Sequence, residues 1–392
     1  MADGVLRVRL RHMLHPTAAS GFALSPAQRA ARAREQFFEQ GLRPSGLVSE
    51  AVIQSWSRCA MSHARPEDRV AFNPVTRSRV HATLGRSRQL LEVAGEEIAR
   101  LERSIAGTDC RVLLTDPQGV IIHATQRGQA APRGVLALAS RVGVDLSESA
   151  IGTNAPGIVV RSGQSVTVYG GEHFHDAVGD VHCAAAPIRD RDGRLAGVLD
   201  LSIECRRFGF DAAAVVALHG IAIENRLLLS QSEDLLIVRL HTDPTLLATH
   251  MAGLLALQGD GRLAWANAVA LRLLGPADPH VPGTERLGAD LTSLLALHRH
   301  PGPAPHRLPN GLGVWIEVRA PRRDGLERPV PAERAPAWAQ SQEPSPAVDT
   351  GATLGASRRA LIRRTLAEHG GNVAATARAL GVSRGLVYRA LR

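Results

Sequence analysis

The sequence predicts an α+β multidomain chain: an antiparallel sheet carrying helices, a smaller α+β segment after it, and an all-α C-terminus. Three observations predict this. Hydrophobic periodicity is helical up to about residue 105 and becomes strand-like from Cys110. A Pro-rich stretch sets apart residues 351–392. Those residues then read as helix, Gly-Gly-Asn, helix, Gly-Val-Ser, helix.

Composition narrows the class. The 392 residues leave room for several cores, and a hydrophobic share of 44% argues against global disorder. No continuous apolar run approaches the roughly 18–20 residues that cross a bilayer. The N-terminal MADGVLRVRLRHMLH lacks the apolar core of a secretory signal. Cys59, Cys110, Cys183 and Cys205 share no paired spacing, which fits a reducing cytoplasm and not a disulfide framework. The expectation is a cytoplasmic chain with no membrane partner and no cofactor. All 46 basic residues are Arg, a mark of GC-rich coding. Without Lys these residues contain no P-loop, whose Lys must reach the β- and γ-phosphates.

Residues 1–105 read as a helical region. Ser25-Pro26 opens a helix through AQRAARAREQFFEQ to Gly41. SEAVIQSWSRCAMSH puts Val52, Ile53 and Trp56 on one face of a second. A third, from about Arg79 to Ile105, carries Leu84, Leu90, Leu91, Ile98 and Leu101. Seven Arg against three acids in residues 1–48 read as a solvated face in preference to a nucleic-acid patch.

Residues 106–230 read as a sheet with helices. CRVLLTD, the turn Pro117-Gln118-Gly119 and VIIHAT form a hairpin, and a helix follows near residues 135–142. SVTVY is a strand; CAAAPIRD, the turn Arg191-Asp192-Gly193 and RLAGVLDLS form a second hairpin. A helix from about Asp211 to Leu229 closes the unit. Leu218, Ile221, Asn225, Leu228, Ser232 and Leu235 recur three and four apart. That is the stripe of a parallel dimer seam with Asn setting register, or of a helix packed on its own sheet.

In residues 231–320, HMAGLLALQGDGRLAWANAVALRLLG reads as strand, Gly-Asp-Gly turn, strand, and a short helix opened by Asn267. GVWIEVRA (313–320) is a late strand. Residues 321–350 hold six Pro among Ala, Arg, Glu and Ser and read as a semi-extended tether.

In residues 351–392, Asn372 can cap the second helix, Gly381 turns the chain, and Ser383 caps the third. Eight Arg and the single acid Glu368 give this segment +7 of the chain's formal +9. The pattern is a helix-turn-helix with a basic footprint for phosphate. Arg384, early in the third helix, can read guanine bidentately, while Arg389 and Arg392 suit phosphates. Ser383, Arg384, Gly385, Tyr388, Arg389, Arg392 and Asn372 form the expected DNA-facing set.

Two clusters suggest a second site. The hydroxyl of Thr153 and carboxamide of Asn154, after Gly152, can face a small polar ligand or cap a helix. Glu172-His173-Phe174-His175, with His182 and Cys183, suits an organic pocket; His173, His175 and Cys183 could hold zinc or iron, but their spacing is irregular. Asp200 reads as a hydrogen-bonding residue near a hairpin end.

GGNVAATARALGVSRGLVYRALR resembles the Fis-type helix-turn-helix of bacterial enhancer-binding regulators; Gly385 departs from the polar residue usual there. DLSESAIGTNAPGIVV, GGEHFHD and CAAAPIRDRDGRLAGVLDLS, with SWSRC at 55–59, are similar to the GAF-domain region of the acetoin-catabolism-regulator family across about residues 45–230. Pro156 and His182 depart from that pattern, at positions where the resemblance implies a pocket. Residues 250–275 resemble a PAS core. The resemblances imply a helical region (1–105), a GAF-like sensor (106–230), a PAS-like domain (231–320), a linker (321–350) and a Fis-type DNA-binding domain (351–392). They imply a transcription regulator, not an enzyme, that binds double-stranded DNA as a homodimer and a small-molecule effector through Gly152, Thr153, Asn154, Glu172, His173, Phe174 and Cys183. RNA polymerase or a separate regulator is a further implied partner, since the family's ATPase, which remodels sigma-54 polymerase, has no counterpart in these residues. The alternative is a redox- or metal-responsive regulator built on Cys183 and His173.

Overall fold

A computed structural model describes residues 24–62, 64–125, 134–275, 280–321, 365, 372–379 and 387. The chain divides into two compact units, residues 1–327 and 328–392.

The first unit begins with helices whose starts are set by local hydrogen bonds. Ser25 and Gln28 form a reciprocal capping box at α1 (Pro26–Arg34), which continues into a π-helical turn at Glu35–Glu39. Ser49 caps α2 (Glu50–Met61), burying Val52, Ile53, Trp56 and Cys59. The single helix expected over residues 79–105 is two, α3 (Arg77–Arg86) and α4 (Arg88–Ser104). Buried Ser87, with ψ of 8°, leaves helical geometry between them. The break lets α4 lay Leu90, Ala94, Ile98 and Leu101 on the sheet while α3 stays largely exposed.

The first sheet contains β1 (Arg111–Thr115), β2 (Ile121–Ala124), β3 (Val166–Tyr169), β4 (Val181–Arg189) and β5 (Leu195–Glu204), antiparallel in the order β2-β1-β5-β4-β3. Alternation divides the central pair. Ala184, Ala186 and Ile188 of β4, with Leu199, Leu201 and Ile203 of β5, share one core with α4 and α8 (Ala212–Ser230). At Gly220 of α8 an added Cβ would lie 3.3 Å from the Ala186 Cβ, so the helix sits close on β4. Cys183, Ala185 and Val198 face the other way, onto α2 and α7 (Ala155–Ser162). The short helices α5 (Val135–Ala139) and α6 (Glu148–Ile151) close the remainder of that face. Residues 24–105, read from sequence as a region of their own, thus share both cores of this sheet.

The second sheet contains β6 (Leu236–His241), β7 (Gly253–Leu257), β8 (Leu263–Ala266), β9 (Ala304–Arg307) and β10 (Gly313–Arg319), in the order β8-β7-β6-β10-β9. One face packs on α9 (Ala268–Leu274), α10 (Gly283–Leu287) and α11 (Leu291–His298). The other presents Ile237, Leu254, Ala256 and Trp265 to Leu228 of α8. The α+β class with antiparallel sheets is therefore as expected.

The dimer-seam reading of the α8 stripe is corrected by this packing. Asn225 is buried inside the chain, donating to the His250 carbonyl and accepting from Asn267 Nδ2, both at 3.0 Å. Ser232 accepts the Trp265 indole N–H at 2.7 Å. Among the described residues α8 has the length and composition to cross a membrane, with mean hydropathy 1.5. It is instead packed between two sheets and tied to α4 by His219–Glu97 and Arg226–Glu96.

In the second unit, α12 (Val373–Ala379) begins at Asn372, whose Oδ1 accepts the Ala375 N–H. Helical Thr365 and Val387 are buried. The tether beyond Pro321 lies outside the described residues.

Asn225→Leu removes one member of a buried amide pair, and with it the bonds to the His250 carbonyl and Asn267 Nδ2. It should lower unfolding free energy by about 1–3 kcal/mol, read as a lower denaturation midpoint at constant slope. An unchanged midpoint would show that the junction adds no stability.

Candidate functional site

A cavity lies on the face of the first sheet opposite α8. Its walls are apolar (Phe72, Leu113, Leu136, Ile151, Val178 and Val181 among them), and Asn154, His173, Cys183, Asp200 and Ser202 bring polar atoms to it. Its free volume is about 40 Å³. One water needs on the order of 10–15 Å³ of such space, so the site suits a molecule of a few heavy atoms.

The polar wall is built by strand alternation. Residues 198, 200, 202 and 204 of β5 turn away from α8. Glu204 accepts the N–H groups of Val135 and Leu136, at 2.8 and 3.1 Å, and so fixes the start of α5. Asp200 is completely buried between β1 and β4, with Leu113 and Ala185 as its register partners. Ser202 Oγ donates to its Oδ2 at 2.7 Å, and Oδ1 has no hydrogen-bond partner among the described residues. Burial raises its carboxyl to about 7, opposed by the Ser202 bond.

The Cys183–His173 pair is neutral. His173 Nδ1–H donates to the Gly170 carbonyl at 2.9 Å, which leaves Nε2 as the acceptor for the Cys183 thiol at 3.4 Å. Ala155 N–H in turn donates to Cys183 Sγ. Burial pulls His173 down to about 4 and pushes the Cys183 thiol well above its ordinary range, with nearby Asp200 adding to the latter. A redox-sensing cysteine needs thiolate character and access to solvent. Cys183 has neither, so the redox reading fails here. His175 instead bonds the Arg65 carbonyl through Nδ1, and among the described residues no three His, Cys, Asp or Glu side chains are grouped to hold a metal.

The remaining residues singled out in the sequence hold the cavity's frame. Asn154 caps α7: Oδ1 accepts the Gly157 N–H, and Nδ2 donates to the carbonyls of Leu146 and Gly152. Thr153 bonds the Ser55 hydroxyl at 2.8 Å and does not line the cavity. Gly152, at φ +71°, has no room for a Cβ, which would lie 2.7 Å from the His175 ring. Glu172 takes the Tyr169 N–H through its carboxylate and the Trp56 indole N–H through its carbonyl. Phe174 packs edge-on against Phe38. His182 points to the opposite face of β4 from Cys183 and does not reach the cavity, whereas Pro156 does.

Two clamps from the N-terminal helices complete the frame. Arg58 forks onto Glu148 at 2.7 and 2.6 Å, joining α2 to α6. Arg34 of α1 reaches the carbonyls of His173 and Phe174 and the Asp176 carboxylate, so it fixes the loop that carries His173. Asp200 and Ser202 were not picked out as site residues. Their signal was available: two polar residues two apart in the otherwise apolar VLDLS, therefore on one strand face. Ser383, Arg384, Gly385, Tyr388, Arg389 and Arg392 lie outside the described residues, and Asn372 is engaged as a helix cap.

Residues 26–222 match the MimR N-terminal domain family, and residues 354–392 match the Fis family of bacterial regulatory proteins. The acetoin catabolism regulatory protein of Cupriavidus necator is 30% identical over 64% of this chain and 38% of its own length. The propane 2-monooxygenase operon transcriptional activator MimR of Mycolicibacterium goodii is 27% identical over 59% of this chain and 38% of its own. The chain thus spans well under half the length of these relatives. A crystal structure of the E. coli DhaR(N)–DhaL complex aligns with 69% of this chain and 99% of that one, at 18% identity and a TM-score of 0.44.

Asp200 gives stability a definite pH dependence. Its carboxyl is raised from 3.8 to about 7 on folding, so the native state holds a proton that the unfolded chain has lost. Stability should fall as pH rises from about 4 to about 7 and level off above. Asp200→Asn should flatten this slope and raise stability at pH 7 by roughly 2 kcal/mol or more. Parallel wild-type and variant unfolding curves across pH 4–8 would refute it.

Proposed function

Because the chain belongs to the MimR N-terminal domain family and carries a Fis-type segment, we propose that it is a DNA-binding transcription regulator whose first sheet senses a small organic effector. The observation that carries this reading is the cavity with apolar walls and a polar floor, in a chain with a basic segment matching Fis-type regulators. A GAF-like sensor (106–230, completed by the preceding helices), a PAS-like second domain (231–320), a linker (321–350) and a DNA-binding domain (351–392) are the proposed division. DNA binding implies a cytoplasmic protein.

The effector acts only through different affinities for two arrangements of the protein. Asn154, His173 and Cys183 are the sequence-selected residues that face it; Gly152, Thr153, Glu172 and Phe174 support them. DNA is read by the 383–392 helix, Arg384 on a base edge and Arg389 and Arg392 on phosphates. A homodimer follows from operator geometry, since one such helix reads few bases and paired half-sites lie one helical turn apart. With no P-loop in these residues, regulation runs by recruitment or occlusion of RNA polymerase, or through a separate remodelling protein.

The full-length protein should retain fragments of its own upstream DNA at low salt, and an effector that fills the cavity should raise its melting temperature and change that retention. Failure to retain any such fragment would end the DNA-binding reading. Arg384→Ala should cost about 1–3 kcal/mol on the cognate site and relax preference at one base; equal loss on random DNA would make Arg384 a phosphate contact. Arg392→Ala should weaken binding to every sequence and flatten the salt dependence.

A further inference from the structure

The polar atoms around the cavity are unequally committed. Asn154 uses its amide on Gly157, Leu146 and Gly152. His173 uses both ring nitrogens, on Gly170 and Cys183, and Cys183 Sγ also takes the Ala155 N–H. Ser202 spends its proton on Asp200 Oδ2. That leaves Asp200 Oδ1, a wholly buried oxygen on a side chain that lines the cavity, with no partner among the described residues. A buried polar atom without a partner costs about 1–3 kcal/mol, which an incoming ligand group can recover.

Resting on the cavity as the effector site, we infer that Asp200, as an uncharged acid braced by Ser202, is the residue that selects the effector. The cavity then takes uncharged molecules bearing a hydroxyl or carbonyl oxygen and rejects carboxylates and ammonium ions. Three features favour the uncharged form. The side chain is completely buried at the middle of the sheet. Among the described residues no Arg lines the cavity to balance a carboxylate, its own or a ligand's. The neighbouring Cys183 and His173 are both neutral in the geometry they adopt. An acid proton on Oδ1 can be given to a ligand carbonyl, and an ether, carbonyl or hydroxyl oxygen can accept it. A ligand carboxylate would meet only neutral donors, and an ammonium would need a buried carboxylate whose ionised form burial disfavours.

Four compounds of one size test this on the full chain: sec-butanol, methyl ethyl ketone, butyrate and butylammonium, with melting temperature and calorimetric affinity as readouts. The alcohol and the ketone should bind, and the two ions should bind at least about tenfold more weakly. Asp200→Leu, which keeps the site apolar, should lose affinity for both neutral compounds by about tenfold or more. Asp200→Asn, which keeps an uncharged donor and acceptor, should stay within a few-fold of wild type. Ligand-free melting curves verify that each variant is folded. Wild-type binding that survives Asp200→Leu, butyrate binding as tight as the ketone's, or equal loss in both variants would overturn the role of Asp200 and leave the effector cavity standing. No binding of any of the four to the wild type would instead overturn the cavity as a site for molecules of this size.

Discussion

The central strand pair β4–β5 has no solvent face, and the rest of the first sheet is arranged around that constraint. Both sides are covered, one by α4 and α8 and the other by α2, α7 and the cavity helices. Successive residues of one strand therefore serve two different environments. Leu199, Leu201 and Ile203 fill an apolar core, while Asp200, Ser202 and Glu204 build a polar wall a few ångströms away. A slip of one residue would bury three polar side chains against α8, so the register carries both the fold and the site.

The segments that line the cavity are braced from behind by parts of the chain that do not themselves reach it. The segment Ser55–Cys59 is the clearest case. Ser55 meets Thr153, Trp56 meets the Glu172 carbonyl, Arg58 grips Glu148, and Cys59 packs in the same core. One turn and a half of α2 thus fixes three separate stretches around the cavity. Arg34 adds a fourth point by holding the carbonyls of the His173 loop, with its guanidinium 5.0 Å above the Phe38 ring. Distant side chains also anchor the short helices: Glu204 satisfies the first N–H groups of α5, and Arg58 holds the Glu148 side chain of α6.

Helix α8 couples the two sheets. Its earlier part lies close on β4 at Gly220, and its later part enters the second sheet through Asn225, Leu228 and Ser232. The Asn225–Asn267 pair matters because Asn267 also caps α9 and bonds β7 through Leu254. One buried amide therefore ties helix, strand and the next helix into a single hydrogen-bonded unit, and removing a partner leaves others unsatisfied.

The sequence by itself determined the strands and turns of the first sheet and several helix starts, because these follow from interactions only a few residues long; β6, β9 and the α3–α4 break were not legible in it. Period-two alternation marks β1, β4 and β5, and Ser25, Ser49, Asn154, Asn267 and Asn372 each satisfy an N–H three residues on. Tertiary structure decided what the ambiguous residues do. Thr153 faces Ser55, 98 positions away, and not a ligand; Asn225 meets His250 and Asn267 and not a partner chain. His173 and His175, two apart, bond in different directions. The reason is that a side chain's chemistry fixes what it can bond, but only the packing of distant segments supplies the partner. Asp200 shows this most plainly: its place in an apolar strand was visible, whereas its unpaired oxygen exists only because β1, β4 and the cavity helices close around it.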